Sequence, residues 1–164
     1  MKKIITFLLA FVLTITLSSC SGYNKIMRNH LSDSNSYCEY TVEVQGITIS
    51  QYDSNRLGVV VKFFNKDEVA KFHGVAAENL TLSPEDYLII LEIIGDSVKE
   101  VCDNGLMEEI QPGDVIEVVA SNWIYMDGDF FYIIGLSKDN KEYLNKDEGL
   151  QNLIDYMNEN KSLL

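Results

Sequence analysis

The chain predicts a mixed β and α domain with five strands, one inserted helix and one closing helix. Three observations predict it. The run over 37–51 alternates with a period of two, and runs rich in β-branched and aromatic residues recur over 56–64, 68–75, 115–125 and 130–136. Turn chemistry separates several of them, as in Gln111-Pro112-Gly113-Asp114 and Met126-Asp127-Gly128-Asp129. Apolar residues change to helical spacing after Ser83-Pro84-Glu85-Asp86 and again over 147–160. No internal repeat interrupts this order.

The first strand, Tyr37 to Gln51, changes phase partway. Tyr40, Val42 and Val44 form one apolar set, Ile47 and Ile49 another, and Gly46 stands between them. A period-two pattern that slips at a glycine predicts a bulge and a bent strand. Arg56 to Phe64 follows, with Val59, Val61 and Phe63 facing the core and Lys62 sharing the outward face with Val60 and Phe64. Glu68 to Val75 reads as its hairpin partner across Asn65-Lys66-Asp67, with Lys71 and His73 outward. The competing reading is a short helix capped by Asn65, with Glu68 three residues on and Gly74 at its end.

Ser83 as N-cap, Pro84 at the first helical position and the acids Glu85 and Asp86 start a helix that runs to Asp103 and ends at Asn104-Gly105. Tyr87, Leu91, Ile94, Val98 and Val101 would form its apolar face. Tyr87 to Ile94 also reads as a buried strand, and Gly95 weakens a continuous helix. Val115 to Tyr125 and Phe130 to Leu136 make a hairpin around Asp127-Gly128, and Leu150, Leu153, Ile154 and Met157 give the closing helix its apolar side.

Ahead of the domain, Lys2 and Lys3 precede an apolar run from Ile4 to Leu17, and Leu17-Ser18-Ser19-Cys20 ends it with small residues before a cysteine. The run is shorter than the ~18–20 apolar residues that span a bilayer. This segment resembles the lipobox signal of bacterial lipoproteins. The resemblance implies that 1–19 is a signal peptide recognised through Leu17, Ser18 and Ser19. It also implies that Cys20 becomes the first mature residue, carries a diacylglyceryl group with palmitate-like chains, and holds the protein in membrane lipid at the extracytoplasmic face of the cell membrane. Two acyl chains make a stable anchor where one does not. Residues 20–36 then read as the lipidated cysteine and a polar, flexible tether, and 37–164 as the domain; His30 falls in the tether.

The 164 residues carry 13 basic and 25 acidic side chains, a net charge of −12. Loss of 1–19 removes Lys2 and Lys3 and no acid, leaving 11 basic and 25 acidic residues and a net charge of −14. Such a chain lacks the positive charge that neutralises phosphates, so nucleic acid is not an expected partner. Cys38 and Cys102 can pair in an oxidising compartment or remain free, and spacing alone leaves both open.

Three strands, a helix and two further strands, with a bent first strand and a Pro-Gly-Asp turn before the fourth, resemble an OB-fold over Tyr37 to Leu136. The resemblance implies a five-stranded barrel with ligands over strands two and three and the adjoining loops. Here that surface takes in Tyr52, Lys62, Phe64, Lys71 and His73. Trp123 and Tyr125 near the hairpin tip add a platform or else cap the core. The basic groove of nucleic-acid-binding OB-folds is missing.

Catalytic spacing is sparse. Of two histidines, only His73 lies in the expected domain, and no nucleophile motif, zinc spacing or phosphate loop accompanies it. Asp127, Asp129, Asp139 and Asp147 do not follow a calcium-loop pattern. The sequence therefore points to a lipid-anchored, non-enzymatic module that binds protein, peptide or glycan, without metal or cofactor. The alternatives are an envelope hydrolase using surface carboxylates, or a structural accessory subunit of a membrane complex.

Overall fold

The computed structural model describes residues 28–50, 53–79, 81, 83, 87–121 and 131–160. Its centre is β1 (Tyr37–Ile49), in which Tyr40, Val42 and Val44 are buried while Glu39 and Thr41 are exposed. The strand pairs with β4 (Val115–Ser121) from Tyr37 opposite Ser121 to Glu43 opposite Val115. Against β2 (Arg56–Lys62) its register slips between Val44 and Gly46, then continues to Ile49 opposite Leu57. Gln45 is the extra residue, so the phase change in the sequence is a bulge. The Pro112-Gly113-Asp114 turn closes on the same point. Gly113 N–H donates to Val44 O at 2.8 Å and Val44 N–H donates to Asp114 O at 2.8 Å. Gly113 sits at φ +95°, which a side chain would disfavour.

Among the described residues the sheet has six strands in the order β3-β2-β1-β4-β5-β6, every neighbouring pair antiparallel. β3 is Leu88–Ile94, β5 is Ile133–Lys138 and β6 is Lys141–Leu144. This corrects the expected five-stranded barrel: the sheet is open, with β3 and β6 at its edges. It curls far enough for Glu92 N–H to donate to Phe131 O at 2.6 Å and for Glu92 and Tyr132 to form a lone parallel bridge. The sixth strand follows a two-residue turn in which Asp139 (φ 51°) and Asn140 (φ 64°) are both left-handed. Those are the residue types that tolerate such a turn, and the hairpin went unread in the sequence for want of a glycine.

Two expected elements are corrected. The third strand expected over Glu68 to Val75 is instead helix α1 (Lys66–His73). The Asn65 side chain accepts from Glu68 N–H at 3.0 Å, Glu68 Oε2 accepts from Phe64 N–H at 3.1 Å, and left-handed Gly74 ends the helix. These caps outweigh the strand propensity of Val69 and Phe72, and only the helix turns both of them to the core. The helix expected from Ser83 to Asp103 is divided. Leu88–Ile94 is β3, Gly95 turns the chain at φ 65°, and only Asp96–Asp103 is helical, as α2. Its expected start over 84–86 lies outside the described residues. A short α3 (Leu106–Glu109) follows α2, and α4 (Lys146–Glu159) is the expected closing helix, capped by the Asn145 side chain accepting from Asp147 N–H at 3.0 Å.

Inside the curl, Val42, Val59, Val61, Leu91, Ile93, Ile116 and Val118 meet Val101 of α2 and Leu106 of α3. α1 contributes Phe72 to an aromatic group: its ring lies 5.5 Å from Tyr40, 5.2 Å from Phe63 and 4.6 Å from Phe131. On the outside of β5, α4 lays Leu153, Tyr156 and Met157 over Ile94, Tyr132 and Ile134. Leu31, from the segment read as tether, joins this outer cluster at 2% exposure, and Tyr37 Oη donates to Leu31 O at 2.8 Å.

Gly149 is where α4 touches the sheet most closely, since a Cβ there would stand 2.1 Å from Ile134 O. Gly149→Ala therefore lifts the helix off β5, and urea unfolding should show a loss of about 2–3 kcal/mol. Asn65→Ala, which removes only the α1 cap, should cost about 1 kcal/mol in the same measurement.

Candidate functional site

The residues expected to share one ligand face are divided between elements. Lys62 ends β2, opposite Glu43 on one side and Leu88 on the other. Phe64 is 49% exposed at the start of α1. Lys71 lies on α1, where its Nζ donates to Glu39 O at 3.3 Å and sits 5.0 Å from the centre of the Tyr40 ring. His73 ends the same helix edge-on to Phe72 at 5.4 Å and 6.2 Å from Phe131. Residues two apart on a helix do not face the same way, so Lys71 and His73 do not share the single outward face expected of a strand. Tyr52, Trp123 and Tyr125 lie outside the described residues, as do Leu17, Ser18, Ser19 and Cys20.

Of the two states left open for Cys38 and Cys102, the structure has them as separate free thiols. Cys38 opposes Ala120 in the β1–β4 ladder, whereas Cys102 lies near the end of α2. Burial, with Glu108 and Asp103 nearby, pushes the Cys102 thiol up from its ordinary range. His30 is half-buried rather than solvated, with Nδ1 3.0 Å from Ser36 Oγ. Among the described residues, no group of three or more His, Cys, Asp and Glu side chains is arranged to hold a metal ion.

The structure assembles a different surface on the same strands. Leu57, Val59 and Val61 of β2 and Leu91 and Ile93 of β3 point inward, which turns Val60, Leu88 and Ile90 outward. Val60 opposes Ile90, and Leu88 opposes Lys62. Leu88 is 47% exposed and Ile90 54% exposed. Beside them, a Cβ on Gly58 would stand 2.9 Å from Thr48 Cγ2 and 3.2 Å from Ile90 Cγ2. The glycine thus lets methyl groups from β1 and β3 close across β2. The result is an uncovered apolar strip of Thr48, Ile90, Val60 and Leu88, with Lys62 at one end and Glu92 at the other. α4 covers Ile94, the next outward position after Glu92, and leaves Leu88 and Ile90 bare.

A signal for this strip was present in the sequence. A strand with one wet face normally alternates, but Tyr87 to Ile94 is apolar at nearly every position. The outward apolar residues erased the period that would have identified β3, and their presence is what an interaction face requires.

A second recess lies across the outer face of β1, β4 and β5. It encloses about 290 Å³ and is lined by Glu39, Thr41, Glu117, Val119 and Ser137, with Tyr40 and Val118. Thr41 opposes Glu117, Glu39 opposes Val119, and Ser137 Oγ donates to Glu117 Oε2 at 3.2 Å. Its chemistry suits hydroxyl-bearing or positively charged groups. Comparison with protein-family models, curated proteins and solved structures finds no match to this chain.

Proposed function

We propose that this chain is a membrane-anchored extracytoplasmic binding module that receives a protein or peptide partner on the outer face of β2 and β3. The observation that carries the reading is the uncovered strip of Val60, Leu88 and Ile90 on outward strand positions. Apolar side chains gathered on one face contribute about 25 cal/mol per Å² when a partner removes them from water. The connectivity supports the same reading. β1 lies between β2 and β4, a helix joins β3 to β4, and β3 meets the segment ahead of β5 in parallel. That order is OB-like, with β6 and α1 as additions, and ligands of OB-folds commonly lie over strands two and three. The net charge of −12 favours neutral or basic partners over nucleic acid.

Attachment through lipidated Cys20 is the second part of the proposal and rests on the Leu17-Ser18-Ser19-Cys20 signal. Among the described residues, no helix is long and apolar enough to cross a membrane. The Cys20→Ala chain should move from the membrane to the soluble fraction on cell fractionation. Retention in the membrane would remove the lipid-anchor reading.

The binding face is tested by in-cell crosslinking and mass spectrometry. Wild type should capture a defined partner, and Leu88→Ser/Ile90→Ser should lose it while its circular dichroism is unchanged. Equal capture by both would rule this face out. A second reading, an envelope hydrolase, is favoured by Glu39 and Glu117 lining one recess. It requires glycan cleavage by the purified protein that disappears in Glu117→Gln.

A further inference from the structure

Glu92 joins the β3 edge of the curled sheet to the segment ahead of β5 in two ways. Its backbone N–H makes the hydrogen bond to Phe131 O, and its carboxylate enters a cluster of polar groups drawn from four parts of the chain. Asp53 comes from the segment before β2, Arg56 from the first position of β2, Tyr132 from the segment ahead of β5, and Tyr156 from α4. Arg56 Nε lies 3.4 Å from Asp53 Oδ2, and Arg56 Nη1 lies 3.7 Å from Glu92 Oε2. Tyr156 Oη donates to Asp53 Oδ2 at 3.2 Å, and Asn55 N–H donates to Asp53 Oδ1 at 2.9 Å.

The two carboxylates are therefore unequal. Asp53 accepts from a hydroxyl and a backbone amide beside the guanidinium. Glu92 Oε2 is buried, accepts no hydrogen bond among the described residues, and stands beyond hydrogen-bond reach of Arg56. With both acids ionised, the cluster holds two negative charges against one positive in a half-desolvated position. A carboxylate oxygen buried without a hydrogen-bond partner is costly to keep charged, and protonation reduces that cost.

We propose that Glu92 is a proton-uptake site that tightens the seam between β3 and the start of β5 on mild acidification. The groups facing it are Arg56 from β2, Asp53 from the preceding segment, Tyr132 across the bridge and Tyr156 from α4. Burial pushes the Glu92 carboxyl up from its ordinary range; Arg56 pulls against this, and Asp53 adds to the rise. The folded chain then binds this proton more tightly than the unfolded chain does. The associated stability is fully present below the unfolded glutamate value of about 4.3 and is lost as pH rises through the higher folded value. The seam is accordingly loosest at neutral and alkaline pH. This inference does not depend on the identity of any partner.

Thermal unfolding of the purified protein between pH 5 and 8, alongside Glu92→Gln, is the first test. The amide is neutral at every pH, so Glu92→Gln should melt about 2–4 °C above wild type at pH 7.5, with the gap closing towards pH 5. Parallel curves would overturn the proposal. Two measurements on wild type hold even where the variant folds poorly. The Glu92 side-chain carboxyl carbon should titrate by NMR above the ordinary glutamate range, and a midpoint within or below that range would overturn it. Exchange of the Glu92 amide hydrogen, corrected for the intrinsic rate, should slow on going from pH 7.5 to 5.5; unchanged protection would remove the link to the seam.

Discussion

One strand serving two partners is the constraint on which the structure depends. β1 is 13 residues long, and its first half is bound to β4 while its second half is bound to β2. A flat strand would pair with both neighbours along its whole length and produce a flat sheet. The bulge after Val44, held by the two hydrogen bonds to the Gly113-Asp114 backbone, bends the strand where the partner changes. The bend rolls the sheet, the roll encloses the aliphatic core, and the same roll brings Glu92 on the β3 edge to Phe131 just ahead of β5.

The helices divide the remaining work by surface. α1 and α2 supply apolar side chains to the inside of the roll, where Phe72 and Val101 join residues from the strands. α4 is the only long helix among the described residues and lies on the outside, brought against β5 by Gly149. Its footprint ends at Ile94 and Tyr156. The outward positions of β2 and β3 beyond that footprint contribute little to the core, yet they are filled by valine, leucine and isoleucine. Ile49, Phe64, Val75 and Val115 are exposed as well, and what distinguishes this face is that Leu88, Ile90 and Val60 lie side by side on paired strands.

Much of this was legible in the sequence because the responsible signals are local. The bulge was readable as a phase slip at Gly46, the Pro112-Gly113-Asp114 turn from its composition, and α4 from Leu150, Leu153, Ile154 and Met157. Errors arose where two local signals competed. At 66–73 a β-rich run across the short polar turn at Asn65-Lys66-Asp67 suggested a hairpin strand, while Asn65, Glu68 and Gly74 prescribed a helix, and the caps prevailed. At 88–94 an uninterrupted apolar run fitted either conformation; strand pairing with β2 decided it, and pairing is a non-local fact that no window of residues contains. The candidate site suffered for the same reason. Lys71 and His73 read as strand residues but lie on a helix, whereas Leu88 and Ile90 read as helical but lie on a strand.

The packing of Leu31 has a mechanical consequence. Tension applied from the N-terminal side does not reach a loose end of the domain. It meets Leu31 wedged against the α4 cluster, the Tyr37 Oη bond to Leu31 O, and then β1 itself, hydrogen-bonded to β4 in its first half and to β2 in its second. A central strand pulled along its axis must shear many ladder bonds at once, whereas an edge strand peels one bond at a time. Force applied from the N-terminal side is thus carried through Leu31 and Tyr37 into the ladders of β1.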